Sequence, residues 1–341
     1  MPSVLLSIVT WNSAAVIEEC LKSVLAQTYT DFEVWVVDNA SADDTRDKVA
    51  AIAARDARVR LHSLARNTGF CGGHNYALDR THSEAVLLVN PDIEMEPDYL
   101  ARALATLRAD ERTGTVCGLL LQSREANPRI DSTGMEALPD GRFRLRHHAQ
   151  PLHDTPLTTG PVDGADGALP LYRRAFIDDL RVEGQFFDER FFAHKEDWDI
   201  AWRGRLFGWR TVFDPACRAL HPREFRPANL RVRLRLSGNI KADAVKNQWL
   251  LLLKNPARRE LPGIWLRALP RQLGILLYCV LLERPSLRAY RYVWQHWGSI
   301  WQARQLIQSR VRERAAHGFG PAAPSQPTSS RQPAALTTDL A

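Results

Sequence analysis

The stretch Ala85-Val86-Leu87-Leu88-Val89-Asn90-Pro91-Asp92 sets the tightest limit on how this chain can fold. Its unbroken apolar run reads as a strand buried on both faces, as in a parallel sheet covered by helices. Pro91 cannot donate to a ladder, so the strand ends there and leaves Asp92 just past its carboxyl end. Ligands of open α/β sheets bind at that edge. An Asp can also sit there merely to form a turn, so the neighbouring segments decide between the two readings.

Strand-like and helix-like segments alternate around it. Ser3–Thr10, Phe32–Val37 and Val59–Leu64 read as further buried strands. Ala14–Gln27 has helical spacing at Val16, Ile17, Leu21, Val24 and Leu25, with Ser13 as N-cap. Asp43 or Asp44 caps a second helix to about Ala54, and a Gly-rich turn, Asn67–Gly73, opens a third from about His74 to Arg80. Helix Tyr99–Ala109 and strand Thr115–Leu121 continue the series. Short connections between alternating elements predict a mainly parallel sheet with helices on both faces. From Ser123 to Thr159 the sequence turns polar and Gly/Pro-bearing, as loops and short strands near a site mouth would be. A second ordered block, Ala168–Leu220, carries Phe186–Phe192, a helix from Trp198 to about Phe207 and strand Thr211–Phe213.

Basic residues exceed acidic ones only mildly, 45 against 39, but unevenly. Arg223, Arg226, Arg231, Arg233 and Arg235 face Glu224 alone between Pro222 and Leu236, and Arg258, Arg259, Arg267 and Arg271 follow. Such a concentration suits an anionic surface. No nucleic-acid-binding motif accompanies it, so a membrane surface is the expected partner and nucleic acid is not. The five cysteines are scattered, odd in number and without CxxC, which argues against a disulfide framework or zinc site and fits a reducing cytosol. The N-terminal apolar run is short, lacks a basic flank and passes into Trp11-Asn12, so it reads as a first strand rather than a signal peptide.

Beyond Pro222, Ala244–Leu253, Trp265–Leu282 and Tyr290–Val311 read as helices, with Trp249, Trp265, Trp294, Trp297 and Trp301 among them. The longest charge-free run, Gln272–Leu282, is shorter than the about 20 residues that span a bilayer. An apolar helix flanked by Arg, Trp and Tyr matches one lying in the membrane interface; a helical subdomain with its tryptophans on the core is the other reading. The tail from about Gly318, rich in Pro, Ser, Thr and Ala, has the composition of a disordered segment. The expected division is therefore 1–221 for the α/β domain, 222–315 for a membrane-associating helical region and 316–341 for the tail.

Several polar groups close successive strands: Thr10-Trp11-Asn12, Asp38-Asn39, Arg66-Asn67 and Asn90-Pro91-Asp92. In a parallel sheet these ends share one edge and converge on one cleft. The Gly-rich Asn67–Asn75 sits at a helix N-terminus, a natural place for phosphate. It is neither GxGxxG nor GxxxxGK[ST], and a tight turn alone would explain Gly72-Gly73. His194-Lys195-Glu196-Asp197-Trp198-Asp199 puts three carboxylates at a helix start, where they either complement the dipole or do chemistry. His221, just after a strand, is a candidate metal ligand.

Taken together and in order, these motifs resemble an inverting glycosyltransferase of family 2 with the GT-A fold, and most closely its bacterial rhamnosyltransferase-like branch. The carrying residues are Ser7–Asn12, Val37–Ser41, Asn67–Asn75, Asn90–Asp92, Gly167-Ala168 with Arg173-Arg174, Phe187–Phe192 and Glu196-Asp197, over about Ser3 to His221. The resemblance implies a Rossmann-like, mainly parallel α/β sheet plus a C-terminal helical extension. It implies a nucleotide-sugar donor (dTDP- or UDP-linked, leaning to dTDP-L-rhamnose) and a glycan or lipid-linked acceptor in cell-surface polysaccharide synthesis. The cysteine usage and the arginine- and aromatic-flanked C-terminal helices point to a cytoplasmic protein, peripheral on the cytoplasmic face of the inner membrane. Asp38 would read the base, and Thr10, Asn12, Arg66 and Asn67 would line the nucleotide pocket, with Asn39, Asn75 and Asn90 in the donor-binding set. Asp92, with His221 as a further ligand, would hold a divalent cation, Mg²⁺ or Mn²⁺. Asp197 would be the catalytic base, with Glu196 positioning it. One departure stands out: the family's Asp-x-Asp is Asn90-Pro91-Asp92 here. An Asn carbonyl ligates a hard cation less strongly than a carboxylate, so metal is expected to enter mainly with the donor.

Two other readings compete. A nucleotidyltransferase on a similar sheet would not call for a lone base such as Asp197. A non-catalytic membrane-associated scaffold would leave the polar strand ends idle.

Overall fold

The computed structural model describes residues 2–222 and 238–316; the arginines from Arg223 to Arg235 and the tail from Gly318 lie outside the described residues. The strands are β1 Val4–Thr10, β2 Phe32–Asp38, β3 Val59–Ser63, β4 Ala85–Val89, β5 Glu94–Met95, β6 Thr113–Leu121, β7 Ile130–Ser132, β8 Met135–Ala137, β9 Phe143–Leu145, β10 Gly160–Val162, β11 Leu171–Arg173 and β12 Arg210–Leu220. The helices are α1 Ile17–Leu25, α2 Thr45–Ala53, α3 Gly69–Leu78, α4 Tyr99–Arg108, α5 Arg174–Leu180, α6 Glu196–Leu206, α7 Gly238–Lys254, α8 Leu261–Leu281, α9 Arg288–Gln295 and α10 Trp297–Ala316.

The main sheet runs β10-β12-β6-β11-β4-β1-β2-β3, with β5 added to β12 and β7 to β6. β1, β2, β3 and β4 are parallel, as are β6 and β12, while β11 runs antiparallel between β4 and β6. Every residue of β4 is buried, as its apolar run requires. One face packs against α1, α2 and α4 through Leu21, Val24, Tyr99 and Leu104. The other packs against α3, α5 and α6 through Leu78, Ile177, Trp202 and Leu206. The parallel register puts Thr10 beside Asp38 and Asp38 beside Ser63, so these strands end level on one edge.

Three expectations need correction. The Gly-rich stretch is helix rather than turn, because α3 begins at Gly69. Only Gly69 there has positive φ (+73°); Gly72 and Gly73 are needed for close packing, since a Cβ would lie 2.6 Å from Thr68 Cβ and 2.7 Å from Val9 Cγ1. The helix expected from Trp198 begins at Glu196, so Glu196 and Asp197 are its first two residues. The run Tyr290–Val311 forms two helices, α9 and α10, parted at His296.

The C-terminal helices share the core of the α/β domain. Leu250 and Leu251 of α7, Val293 of α9 and Ile300, Ala303 and Ile307 of α10 join the cluster that contains Phe176, Phe186 and Trp202. Buried polar bonds reinforce that packing. Lys254 Nζ lies 2.6 Å from Asp188 and 2.9 Å from Asp199, and Asn255 donates to Asp199 at 2.8 Å.

Candidate functional site

At the end of β1, the buried Thr10 donates to Asp38 Oδ1 (3.3 Å), and Asp38 Oδ2 accepts from the Ser41 N–H (3.1 Å). Arg46 approaches Asp38 at 3.9 Å. Asn12, at φ 53°, accepts from the Ala42 N–H (2.8 Å), and its own N–H donates to Ser41 (2.9 Å). These bonds fasten the segments that follow β1 and β2 to each other. The Asn39 side chain accepts from Thr68 and donates to Gly69 O (2.9 Å), holding the start of α3 against the same edge. Asn67 accepts from the Gly69 N–H (2.8 Å), and Arg66 is exposed beside it.

Asn75, expected in the donor-binding set, bonds segment 187–189. Its amide donates to Phe187 O (2.8 Å) and Glu189 (3.1 Å) and accepts from the Phe187 N–H (3.0 Å), so it ties α3 to segment 187–189. His74 and Cys71 find an explanation in burial. His74 Nδ1 meets Ser7 Oγ at 2.8 Å and the ring packs on Phe70, while Cys71 is a core residue.

The short strands bring the second cluster together. β5 pairs antiparallel with the end of β12, Leu220 opposite Glu94, so His221 comes alongside Asp92. β7 pairs antiparallel with β6, and the His221 N–H donates to Leu121 O (2.8 Å), which brings Asp131 to the same point. His221 Nδ1 is 2.8 Å from Asp131 Oδ2, and its Nε2 is 3.5 Å from Asp92 Oδ1. Burial pulls the imidazole down, but Asp131 and Asp92 outweigh it and hold its pKa up at about 9. Asp131 was not legible in the sequence, because nothing in the polar run 123–159 marks a three-residue strand.

With its pKa at about 9 the imidazole carries both protons, directed at Asp131 and Asp92; a cation at Asp92 would take the place of the Nε2 proton and leave Nδ1–H on Asp131, the arrangement that metal-ligating histidines use. Among the described residues no group of three or more His, Cys, Asp or Glu is placed to hold a metal. With the Asp92 carboxylate and the His221 imidazole as donors, a divalent cation here would depend on phosphate oxygens and water for its remaining ligands.

The third cluster sits at the start of α6. Asp197 Oδ2 accepts from the Gly167 N–H (3.3 Å) and Oδ1 from the Trp198 N–H (2.9 Å). Glu196 is buried beside it, with Oε2 lacking a hydrogen-bond partner among the described residues. Burial first, then the Asp197 charge, push the Glu196 carboxyl well above the usual range, which favours its protonated form.

Sequence comparison places this geometry in a family. The chain belongs to glycosyl transferase family 2, whose model matches residues 6–180, just over half of the chain. It is similar to the succinoglycan biosynthesis protein ExoO of Rhizobium meliloti, 38% identical over 227 residues, covering 63% of this chain and 59% of that protein. It is also similar to an N-acetylglucosaminyl-diphospho-decaprenol L-rhamnosyltransferase of Mycobacterium tuberculosis, 25% identical over 236 residues, covering 62% of this chain and 74% of that protein. The chain thus spans less than two thirds of the length of ExoO. Among solved structures, its fold matches a mannosyltransferase of Pyrobaculum calidifontis in complex with GDP-Man and Mn²⁺, with TM-score 0.52 and 18% identity over 92% of this chain and 87% of that one.

The buried His74 gives the site a measurable pH signature. Burial lowers its pKa from 6.5 to about 3, so below 6.5 the unfolded chain binds a proton that the fold refuses. Its stabilising contribution is complete above 6.5 and is lost as pH falls through that value toward 3. His221, raised instead, contributes its slope above 6.5, and the raised Glu196 and lowered Asp188 and Asp199 act alike in wild type and variant, so the difference between the two isolates His74. Urea midpoints between pH 7 and 4 are expected to fall more steeply for the wild type than for His74→Gln; equal slopes would show that His74 takes up its proton in the fold.

Proposed function

We propose that this protein is an inverting glycosyltransferase that moves a sugar, L-rhamnose the favoured candidate, from a dTDP- or UDP-linked donor to a hydroxyl of a glycan or lipid-linked acceptor in cell-surface polysaccharide synthesis. The observation that carries the reading is the meeting of Asp92 and His221, backed by Asp131, on the sheet edge where Thr10 and Asp38 also end. The rhamnosyltransferase relative supports the sugar and the lipid-linked acceptor, and the family match supports the chemistry.

In this reading Asp38 accepts hydrogen bonds from the base, and Thr10, Asn12, Arg66 and Asn67 border the nucleotide. Asn39 and Asn75 shape that pocket by fixing α3, and Asn90 lies beside the diphosphate. Mg²⁺ or Mn²⁺ held by Asp92 and His221 would neutralise charge on the departing diphosphate, and the Mn²⁺ of the mannosyltransferase complex supports such an ion. Asp197 takes the proton of the acceptor hydroxyl as its oxygen attacks the anomeric carbon and the bond to the diphosphate oxygen breaks. One in-line displacement with a single base inverts the anomeric configuration. Glu196, protonated and packed against Gly167, holds Asp197 in place.

We further propose that the protein docks peripherally on anionic lipid at the cytoplasmic face of the inner membrane. One described helix, Leu261–Leu281, is long and apolar enough to cross a membrane by length and composition, yet only 28% of its apolar window is buried. Leu266, Leu269, Leu273, Leu277 and Val280 expose one face of α8, and Trp294, Trp297 and Trp301 are exposed on α9 and α10. The exposed Arg259, Arg267, Arg284, Arg288 and Arg291 lie on the same segments. Apolar, tryptophan-bearing faces edged by arginine suit an interfacial helix.

Asp197→Asn keeps the shape and removes the proton acceptor. Transfer from the bound donor is expected to slow roughly 10²–10⁴-fold while donor Kd barely moves; normal turnover would place the base elsewhere. Asp92→Ala should instead weaken metal-dependent donor binding, and undiminished turnover in a folded Asp92→Ala variant would remove Asp92 from the metal site. For the membrane, co-sedimentation with anionic vesicles is expected at low salt and lost at high salt. Equal binding to neutral vesicles, or none, would contradict it.

A further inference from the structure

We propose that Asn247 is a positioning residue: its side-chain amide holds segment 191–195 in a strained conformation that aims the first turn of α6, and with it Asp197, into the site. The inference rests on Asp197 being the base.

The segment is unusual in its backbone. Phe192, His194 and Lys195 all lie at positive φ (65°, 70° and 66°), and none is glycine. Phe192, at φ 65° and ψ −65°, is spanned by an Ala193 N–H to Phe191 O bond of 2.8 Å, which makes it the centre of the rare, strained form of γ-turn. Lys195 is left-handed immediately before Glu196. Such conformations persist only where the surroundings over-determine them.

The surroundings come from two sides. On one, the Cys71 N–H donates to Phe192 O (3.1 Å), and Gly69 lies so close that a Cβ would sit 2.4 Å from that oxygen. On the other is α7. Asn247, fully buried, directs Nδ2 at three carbonyls of the strained segment: Phe191 O (3.1 Å), Ala193 O (2.9 Å) and His194 O (2.7 Å). Lys195 Nζ reaches back to Ala244 O (3.0 Å) and Gln248 Oε1 (3.2 Å) on the same helix. Lys254, at the far end of α7, is paired with Asp199 of α6. Helix α7 is thus fastened to α6 at its C-terminal end and grips the approach to α6 from its middle turns.

Only a donor serves at this point. The three carbonyls face a single NH₂ group, and a carboxylate there would repel all of them. Without the amide the segment can relax to ordinary dihedrals while the sheet, which has its own core, stays folded. Asp197, second residue of α6, would then lose its alignment with the Gly167 N–H and with a substrate on the sheet edge.

Asn247→Ala and Asn247→Asp test this, with Lys195→Met as a variant at a less buried tie. Hydrogen exchange is expected to accelerate in peptides covering 191–198 and to stay unchanged in β1 and β4. Binding of UDP or dTDP should remain as in the wild type, while the transfer rate falls roughly 10–100-fold, the usual cost of a small misplacement. Unchanged exchange at 191–198 would overturn the clamp, and raised exchange with an unchanged transfer rate would overturn its positioning role. If Asn247→Asp does not fold, Lys195→Met alone decides by the same two readouts. A wild type that transfers no sugar from any donor would defeat the glycosyltransferase reading, while the exchange experiment would still judge the clamp.

Discussion

Lys254 is the charge on which the relation between the sheet and the C-terminal helices turns. Its ammonium is almost wholly buried and sits between the carboxylates of Asp188 and Asp199. Burial alone would raise both carboxyls. Lys254 with Arg190 at Asp188, and Arg203 with Lys254 at Asp199, reverse the sign and leave both below the usual range. Removing one member of a buried ion cluster costs about 3–5 kcal/mol, because it strands the others. Helix α7 therefore belongs to the glycosyltransferase fold energetically, since two carboxylates inside that fold are compensated from it.

That arrangement links packing to chemistry. Asp199 is one turn along the helix from Glu196 and Asp197, and Asp188 precedes the segment that leads into that helix. The same helix that meets their charge also bonds the strained carbonyls from Phe191 to His194. On the opposite flank, β5 and β7 carry Asp92 and Asp131 to His221. The parallel strands supply the level edge, and short antiparallel additions and the C-terminal helices bring the candidate site residues to it.

Most of the sheet was legible because β1, β2 and β4 are apolar runs ended by polar residues, and a parallel sheet lines such ends up. Asp38 and Asp92 could be picked out for that reason, whereas Asp197 stood out as one of three carboxylates at a helix start and took its role from the family resemblance. Asp131 could not, since a strand of three residues within a polar stretch leaves no periodicity. Asn247 and Lys254 were hidden for a different reason: polar residues on a helix normally face water, and only the structure reveals that Lys246, Asn247, Gln248 and Lys254 are buried. The glycines of α3 misled because glycine signals a turn and close packing equally well. Here Val9 and Thr68 occupy the space.

Whether the sheet edge binds a nucleotide sugar is tested most directly by thermal unfolding with a panel of dTDP- and UDP-sugars, with and without Mg²⁺ or Mn²⁺. A ligand that binds only the folded state raises Tm by mass action. At least one nucleotide sugar is expected to raise Tm, and to raise it further when the cation is present. No shift with any nucleotide sugar, at saturating concentration and with either metal, would contradict a donor site built on Asp38, Asp92 and His221.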